Sequence, residues 1–143
     1  NSEYKNYTED NLYYGLSLFA ANNKKGVTPD PVALQKADLA FERVVVASPN
    51  YLDGYFYRGR TNSLMENDAM TIKYFEEYVA KVAEKGSEEM AKPSVLKKVI
   101  ESYNTIAASY ANTDKAKAIE YFNKTLTLDP TNNYATESLK LLK

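Results

Sequence analysis

Tyrosine, arginine and asparagine side chains carry most of the chemistry open to this chain, which has 13 tyrosines, the arginines Arg43, Arg58 and Arg60, and neither histidine nor cysteine. The two missing types remove imidazole acid–base catalysis, thiolate nucleophiles, disulfides and zinc sites of Cys/His type. No glycine-rich phosphate loop, serine elbow or metal-ligating cluster stands out. The paired carboxylates Glu76-Glu77 and Glu88-Glu89 are adjacent, so on a helix they point in different directions and do not converge on a substrate. Lys97-Lys98 is a surface pair of the same kind. What is left is recognition chemistry. A guanidinium can grip a carboxylate through two parallel hydrogen bonds, an Asn amide can donate to and accept from a peptide backbone, and a Tyr ring joins apolar area to a polar tip. Two readings of the tyrosines stand: most rings pack between helices, or a few line a binding groove.

Such groups need elements to aim them, and the elements show in the spacing. In Ala33 to Ala47, apolar Ala37, Ala40, Phe41, Val44 and Val45 recur at three and four, one helical stripe closed by Pro49. Ala118, Ile119, Phe122 and Leu126 form a second such face, ended by Asp129-Pro130 because Pro disfavours helical geometry in the residue before it. Phe41, Phe75 and Phe122 align as one recurring aromatic, and Gly15, Gly59 and Ala107 as one recurring small residue. The first two phenylalanines stand 34 residues apart and the last two 47. No strand pattern emerges.

Insertions account for the uneven spacing. The run from Asn22 to Pro31 is polar, with Gly26 to end one helix and Asp30-Pro31 to start the next as N-cap and first helical position. The run from Glu84 to Ser94 offers Gly86 as a stop and Pro93-Ser94 as a start, with room for one short helical turn over Ser87 to Lys92. The last segment, Tyr134 to Lys143, places Leu139 and Leu142 on one side, as a capping helix would.

The run Tyr103, Ile106-Ala107, Tyr110, Ala118, Phe122 and Pro130 resembles the tetratricopeptide repeat (TPR), a helix pair that cannot bury its apolar face alone. Tyr14-Gly15, Leu18, Ala37, Phe41 and Pro49 form a looser copy, with Asn11 at its leading aromatic position. Tyr55, Arg58-Gly59, Thr71 and Phe75 form another, which departs from the pattern at Asn62 and Ala83. The resemblance implies an all-α fold: a right-handed α–α superhelix of about three TPR hairpins plus a C-terminal capping helix. Repeat 1 is expected over about 9–50 with an inserted turn at 22–32, repeat 2 over 51–84, a linker at 85–93, repeat 3 over 94–131 and the cap over 132–143, all one domain, 1–143. In that arrangement the first helix of each pair lines a concave groove. The groove side would hold Glu9, Leu12, Tyr13 and Leu16, then Phe56, Tyr57 and Arg60, then Asn104, Ala108 and Asn112. Tyr55, Arg58, Gly59 and Asn62 would face the partner helix, with Arg58 paired to a carboxylate or a helix C-terminus. Leu12 and Leu16 stand where the chaperone-binding subclass has Lys and Asn, which argues against a carboxylate clamp.

The segment Tyr55-Phe56-Tyr57-Arg58-Gly59-Arg60-Thr61-Asn62-Ser63-Leu64-Met65 resembles one found in TPR domains of bacterial cell-envelope proteins. It implies a C-terminal TPR domain of a larger exported protein, in the periplasm or envelope, with the cytoplasm as the alternative. A start at Asn1 fits a mature form or an excised domain. A net charge of −1 steers the chain toward neither nucleic acid nor acidic membrane, and no apolar run approaches the ~20 residues of a membrane-spanning helix. The leading expectation is a non-enzymatic scaffold, without metal or cofactor, that holds a protein or peptide anchored by Phe56, Tyr57 and Arg60. Self-association as a homo-oligomer is the second reading, and an enzyme using Tyr and Glu as acid–base groups the third.

Overall fold

Capping residues begin the helices where the chain's polar turns end. In the computed structural model, which describes residues 2–142 and the side chains of residues 6–142, Asp30 accepts a hydrogen bond from the Val32 amide at 3.0 Å and Pro31 takes the first helical position. The resulting order is α1 (Ser2–Asn22), α2 (Pro31–Ala47), α3 (Asp53–Leu64), α4 (Asp68–Lys85), the single turn α5 (Ser87–Met90), α6 (Pro93–Tyr110), α7 (Lys115–Leu128) and α8 (Asn133–Leu142). No strand occurs among the described residues. The chain forms two compact units, one running to Tyr74 and the other starting at Phe75, so α4 contributes to both.

In the amino-terminal unit α2 packs between α1 and α3. Its buried face is Leu34, Ala37, Ala40, Phe41 and Val44, the stripe that the three-and-four spacing predicts. Gly15 of α1 lies on the Phe41 ring so closely that a Cβ there would sit 2.7 Å from Phe41 Cε1. Only glycine permits that approach against a ring with no room to move. The long turn between α1 and α2 is closed by one buried amide. Asn22 Nδ2 donates to the Leu18 carbonyl at 2.8 Å, while Asn22 Oδ1 accepts from the Asp30 amide at 2.8 Å. The inserted residues are thereby pinned at both ends.

Helix α3 stops in a reciprocal pair of backbone bonds. The Asn67 amide donates to the Asn62 carbonyl at 2.9 Å and the Glu66 amide to the Ser63 carbonyl at 3.0 Å. This is the Schellman arrangement, which needs a left-handed residue just past the cap. Glu66 supplies it at φ 60°. The Asn67 side chain then accepts from the Met70 amide at 3.2 Å and starts α4.

In the carboxy-terminal unit α7 packs between α6 and α8. Ala107, Phe122 and Ala135 form its buried centre, with Tyr121, Leu126, Leu139 and Leu142 against them. Ala107 beside Phe122 repeats the small-against-aromatic pairing of Gly15 with Phe41. Helix α8 covers the outer side of α7, as a terminal cap must. The expected cap and domain ends at Asn1 and Lys143 lie outside the described residues.

Candidate binding site

Each unit carries a cleft. That of the amino-terminal unit has a volume of about 530 Å³ and is lined by Thr8, Glu9, Leu12 and Tyr13 of α1, Ala47 and Ser48 at the end of α2, and Tyr51 in the turn before α3. The four α1 residues share one helical face because they are spaced one and four apart. Thr8 Oγ1 and Ser48 Oγ meet at 3.2 Å and close one side. The rings of Tyr13 and Tyr51 are 64% and 39% exposed. Neither hydroxyl has a hydrogen-bond partner among the described residues. Partial burial pushes the Tyr51 phenol pKa up, helped by the charge of Asp53 and by Tyr57 and Tyr13. The phenol therefore stays protonated and able to donate.

In the same unit aromatic residues pack on one another. Tyr57 stacks on Phe41 with ring centroids 5.5 Å apart and meets Phe56 edge-on at 5.7 Å. The half-buried Arg60 guanidinium lies 4.5 Å from the Phe56 ring centre and 5.9 Å from that of Tyr57. Phe56 itself is fully buried. Leu16 is half-buried.

A buried polar lock holds α3 against α2 in the same unit. Arg58 Nε and Nη2 donate to Asp38 Oδ1 and Oδ2, both at 3.0 Å, and Nη2 reaches Glu42 Oε2 at 3.4 Å. The same guanidinium lies 3.9 Å from the centre of the Tyr74 ring. Asn62 Nδ2 adds a third bond to Asp38, at 3.0 Å to Oδ1. Burial alone would lower the Arg58 pKa, but the hydrogen bonds and charge of Asp38 outweigh it and hold the pKa up. Arg58 thus pairs with a carboxylate, as its position on the core face of α3 predicts.

The second cleft, about 290 Å³, is lined by Glu76, Val79, Ala80, Ala83, Tyr103, Ile106, Tyr121 and Lys124. Its chemistry is internally matched. The Tyr121 hydroxyl donates to Glu76 Oε1 at 2.8 Å. The Tyr121 ring stacks on Tyr110 at 6.0 Å and lies 6.0 Å from Tyr103. Lys124 Nζ lies 5.5 Å from the Tyr121 ring centre and 5.8 Å from that of Tyr103. Burial, and then the Glu76 carboxylate, hold the Tyr121 pKa far above its ordinary value.

The residues expected along a groove meet different surroundings. Tyr13 is in the first cleft, Leu16, Tyr57 and Arg60 belong to the same unit, and Phe56 is interior. In the other unit Asn104 Oδ1 accepts from Thr125 Oγ1 at 2.8 Å and its Nδ2 donates to Asn132 Oδ1 at 3.4 Å, linking α6 and α7 to the start of α8. Ala108 is exposed on α6, and Asn112 is exposed in the turn after α6, which ends at Tyr110. Sequence reasoning missed Thr8, Ser48 and Tyr51. Tyr51 follows Pro49-Asn50, a turn signal, and that was its one sequence clue.

Among the described residues no helix is long and apolar enough to cross a membrane, and no group of three or more acidic side chains is placed to hold a metal ion. No protein-family model matches the chain, and no curated protein matches it. Among solved structures it is similar to the C-terminal part of a TPR repeat-containing protein from Cytophaga hutchinsonii, with a TM-score of 0.61 and 24% identity over 94% of this chain and 61% of that one. The chain spans about three-fifths of the length of that structure. The likeness shows the fold, an all-α helical repeat of TPR type.

Proposed function

We propose that the chain is a protein- or peptide-binding scaffold that engages its partner at the amino-terminal cleft, as one domain of a larger bacterial protein. A helical-repeat fold supplies rigid faces for holding another molecule, and what is held is decided by the side chains on them. The observation that carries the reading is the cleft of about 530 Å³ whose exposed Tyr13 and Tyr51 rings flank Leu12, with Glu9, Thr8 and Ser48 at the rim. Aromatic area with nearby hydroxyl and carboxylate groups suits an extended peptide, the rings covering its side chains and the polar rim meeting its backbone. Arg60, carried on the Phe56 and Tyr57 rings, adds a cation for an acidic group of the same segment. The groove runs from Tyr13 and Leu16 through Tyr57 and Arg60, with Phe56 as its floor. Repeats over 9–50 and 51–84 carry it, and a third repeat over 94–131 follows the 85–93 linker and precedes the final helix. The wording of the Tyr55 to Met65 segment supports a place in the periplasm or envelope.

Selection of peptides from a random display library on the wild-type chain tests this. Binding of the selected peptides to a Tyr13→Ala, Tyr51→Ala variant is then measured calorimetrically. Both rings are exposed, so the melting temperature is expected to stay within a few degrees while affinity drops at least about tenfold. Equal affinity for variant and wild type would refute the cleft as the site.

A further inference from the structure

Negative charge and aromatic faces meet in the amino-terminal cleft, and together they select what it can hold. Among the described residues the charged group in its lining is the Glu9 carboxylate, and no lysine or arginine lines it. Ala47 and Ser48, also in the lining, are the last residue of α2 and its C-cap. The carbonyl end of a helix carries roughly half a negative charge, which a cation stabilises. The last turn of α2 has no basic residue to do so. Helix α3 then begins with the acidic Asp53 in its first turn. Burial, and then the charge of Asp53, raise the pKa of the Tyr51 phenol, so this second carboxylate is felt in the cleft as well.

The rings point to the same kind of guest. Elsewhere in the chain a lysine or arginine lies over the rings of Tyr57, Tyr74, Tyr103, Tyr110 and Tyr121, with the cation 3.9 to 5.9 Å from the ring centre. A cation is drawn there by the electron-rich face of the ring. Tyr13 and Tyr51 are exposed, yet among the described residues neither has a cation or another ring over it. Leu12 and Ala47 add apolar surface to the same lining, on which methylene groups can lie while a charged tip reaches a carboxylate. We propose that the amino-terminal cleft selects a basic side chain of its peptide partner, a lysine or arginine whose stem lies along Leu12 and Ala47 against the Tyr13 and Tyr51 rings and whose cation meets Glu9 and the carbonyl end of α2. This specificity rests on the cleft being where the peptide binds. Arg60 is not in the lining, so a basic residue held in the cleft and an acidic group held at Arg60 do not compete for one place.

Random peptides selected by display on the wild-type chain, then resynthesised, test the charge requirement. Those that lose affinity for the Tyr13→Ala, Tyr51→Ala variant are expected to share a lysine or arginine. Replacing that arginine by citrulline, or that lysine by norleucine, keeps the stem and removes the charge. Calorimetry on the wild-type chain is then expected to show affinity falling at least about tenfold. Glu9→Gln is expected to weaken the basic peptide about fivefold and to leave the uncharged form where it was, the mark of direct coupling. Glu9 is exposed, so the variant is expected to keep its fold, which circular dichroism checks. Glu88→Gln, which removes an exposed charge in the other unit, is expected to change nothing. Three results would each overturn the specificity and leave the cleft as a peptide site: cleft-dependent peptides with no basic residue in common, full affinity in the citrulline or norleucine form, or no larger loss in Glu9→Gln than in Glu88→Gln. Peptides indifferent to the Tyr13→Ala, Tyr51→Ala variant would remove the site and the specificity together.

Discussion

In the amino-terminal cleft Tyr13 and Tyr51 present exposed rings whose hydroxyls find no partner among the described residues. In the carboxy-terminal cleft the Tyr121 hydroxyl is bonded to Glu76, and its ring is flanked by Tyr103, Tyr110 and Lys124. Both places are rich in tyrosine, so residue type does not distinguish them. What distinguishes them is whether the chain itself supplies the partners. A matched cluster gains little from a ligand, which would have to replace bonds already made. An unmatched one offers its hydrogen bonds and apolar area at no such cost. Among the described residues no buried side-chain nitrogen or oxygen lacks a partner, so recognition belongs to the surface.

The most severe way to break the comparison is to remove the lock between α2 and α3 of the amino-terminal unit. Asp38→Ala would leave the Arg58 guanidinium buried without its carboxylate, at an expected loss of about 3 kcal/mol. Hydrogen exchange is expected to show α2 and α3 losing protection before α6 and α7. Equal loss in both units would mean that the lock does not support the amino-terminal cleft in particular.

A milder pair separates ligand contacts from internal ones. Arg60→Ala is expected to weaken peptide binding several-fold with little change in stability. Asn104→Ala, which breaks the link from Thr125 to Asn132, is expected to lower stability by about 1 kcal/mol and leave binding unchanged. If Asn104→Ala weakened binding instead, the carboxy-terminal unit would have to be included in the site.

The smallest effect concerns Tyr121. The folded state holds its pKa above the ordinary 10.0. Its contribution is therefore full below about pH 10 and is lost as pH rises beyond that, because the folded state keeps a proton that the unfolded chain releases. Tyr121→Phe is expected to cost about 1 kcal/mol at neutral pH and to flatten the fall in stability between pH 10 and 11. Denaturant titrations across that range check it, and an unchanged slope would mean that the Glu76 bond does not persist in solution.

Much of the architecture was legible because it rests on local chemistry. Phe41 and Phe122 were recognisable as core residues from their helical stripes. Asp30-Pro31, Gly86 and Pro93 marked helix ends because caps and backbone restrictions act over a few residues. The site was less legible. Phe56 reads as a groove anchor until packing encloses it, and Asn104 reads as a peptide contact until Thr125 and Asn132 come within reach. Asn112 falls beyond α6 because the Thr113 and Asp114 amides both turn back onto the Tyr110 carbonyl, ending the helix sooner than the repeat pattern suggests.

By itself the amino-acid sequence determined that this chain is helical and where most of its helices begin and end. Those properties follow from periodicity and capping, which act within one or two turns of helix. Only the tertiary structure decided which polar groups were satisfied by the chain and which were left facing a cleft. A side chain's partners come from segments distant in sequence, as Asp38 does for Arg58 and Glu76 for Tyr121, and no local pattern specifies their meeting.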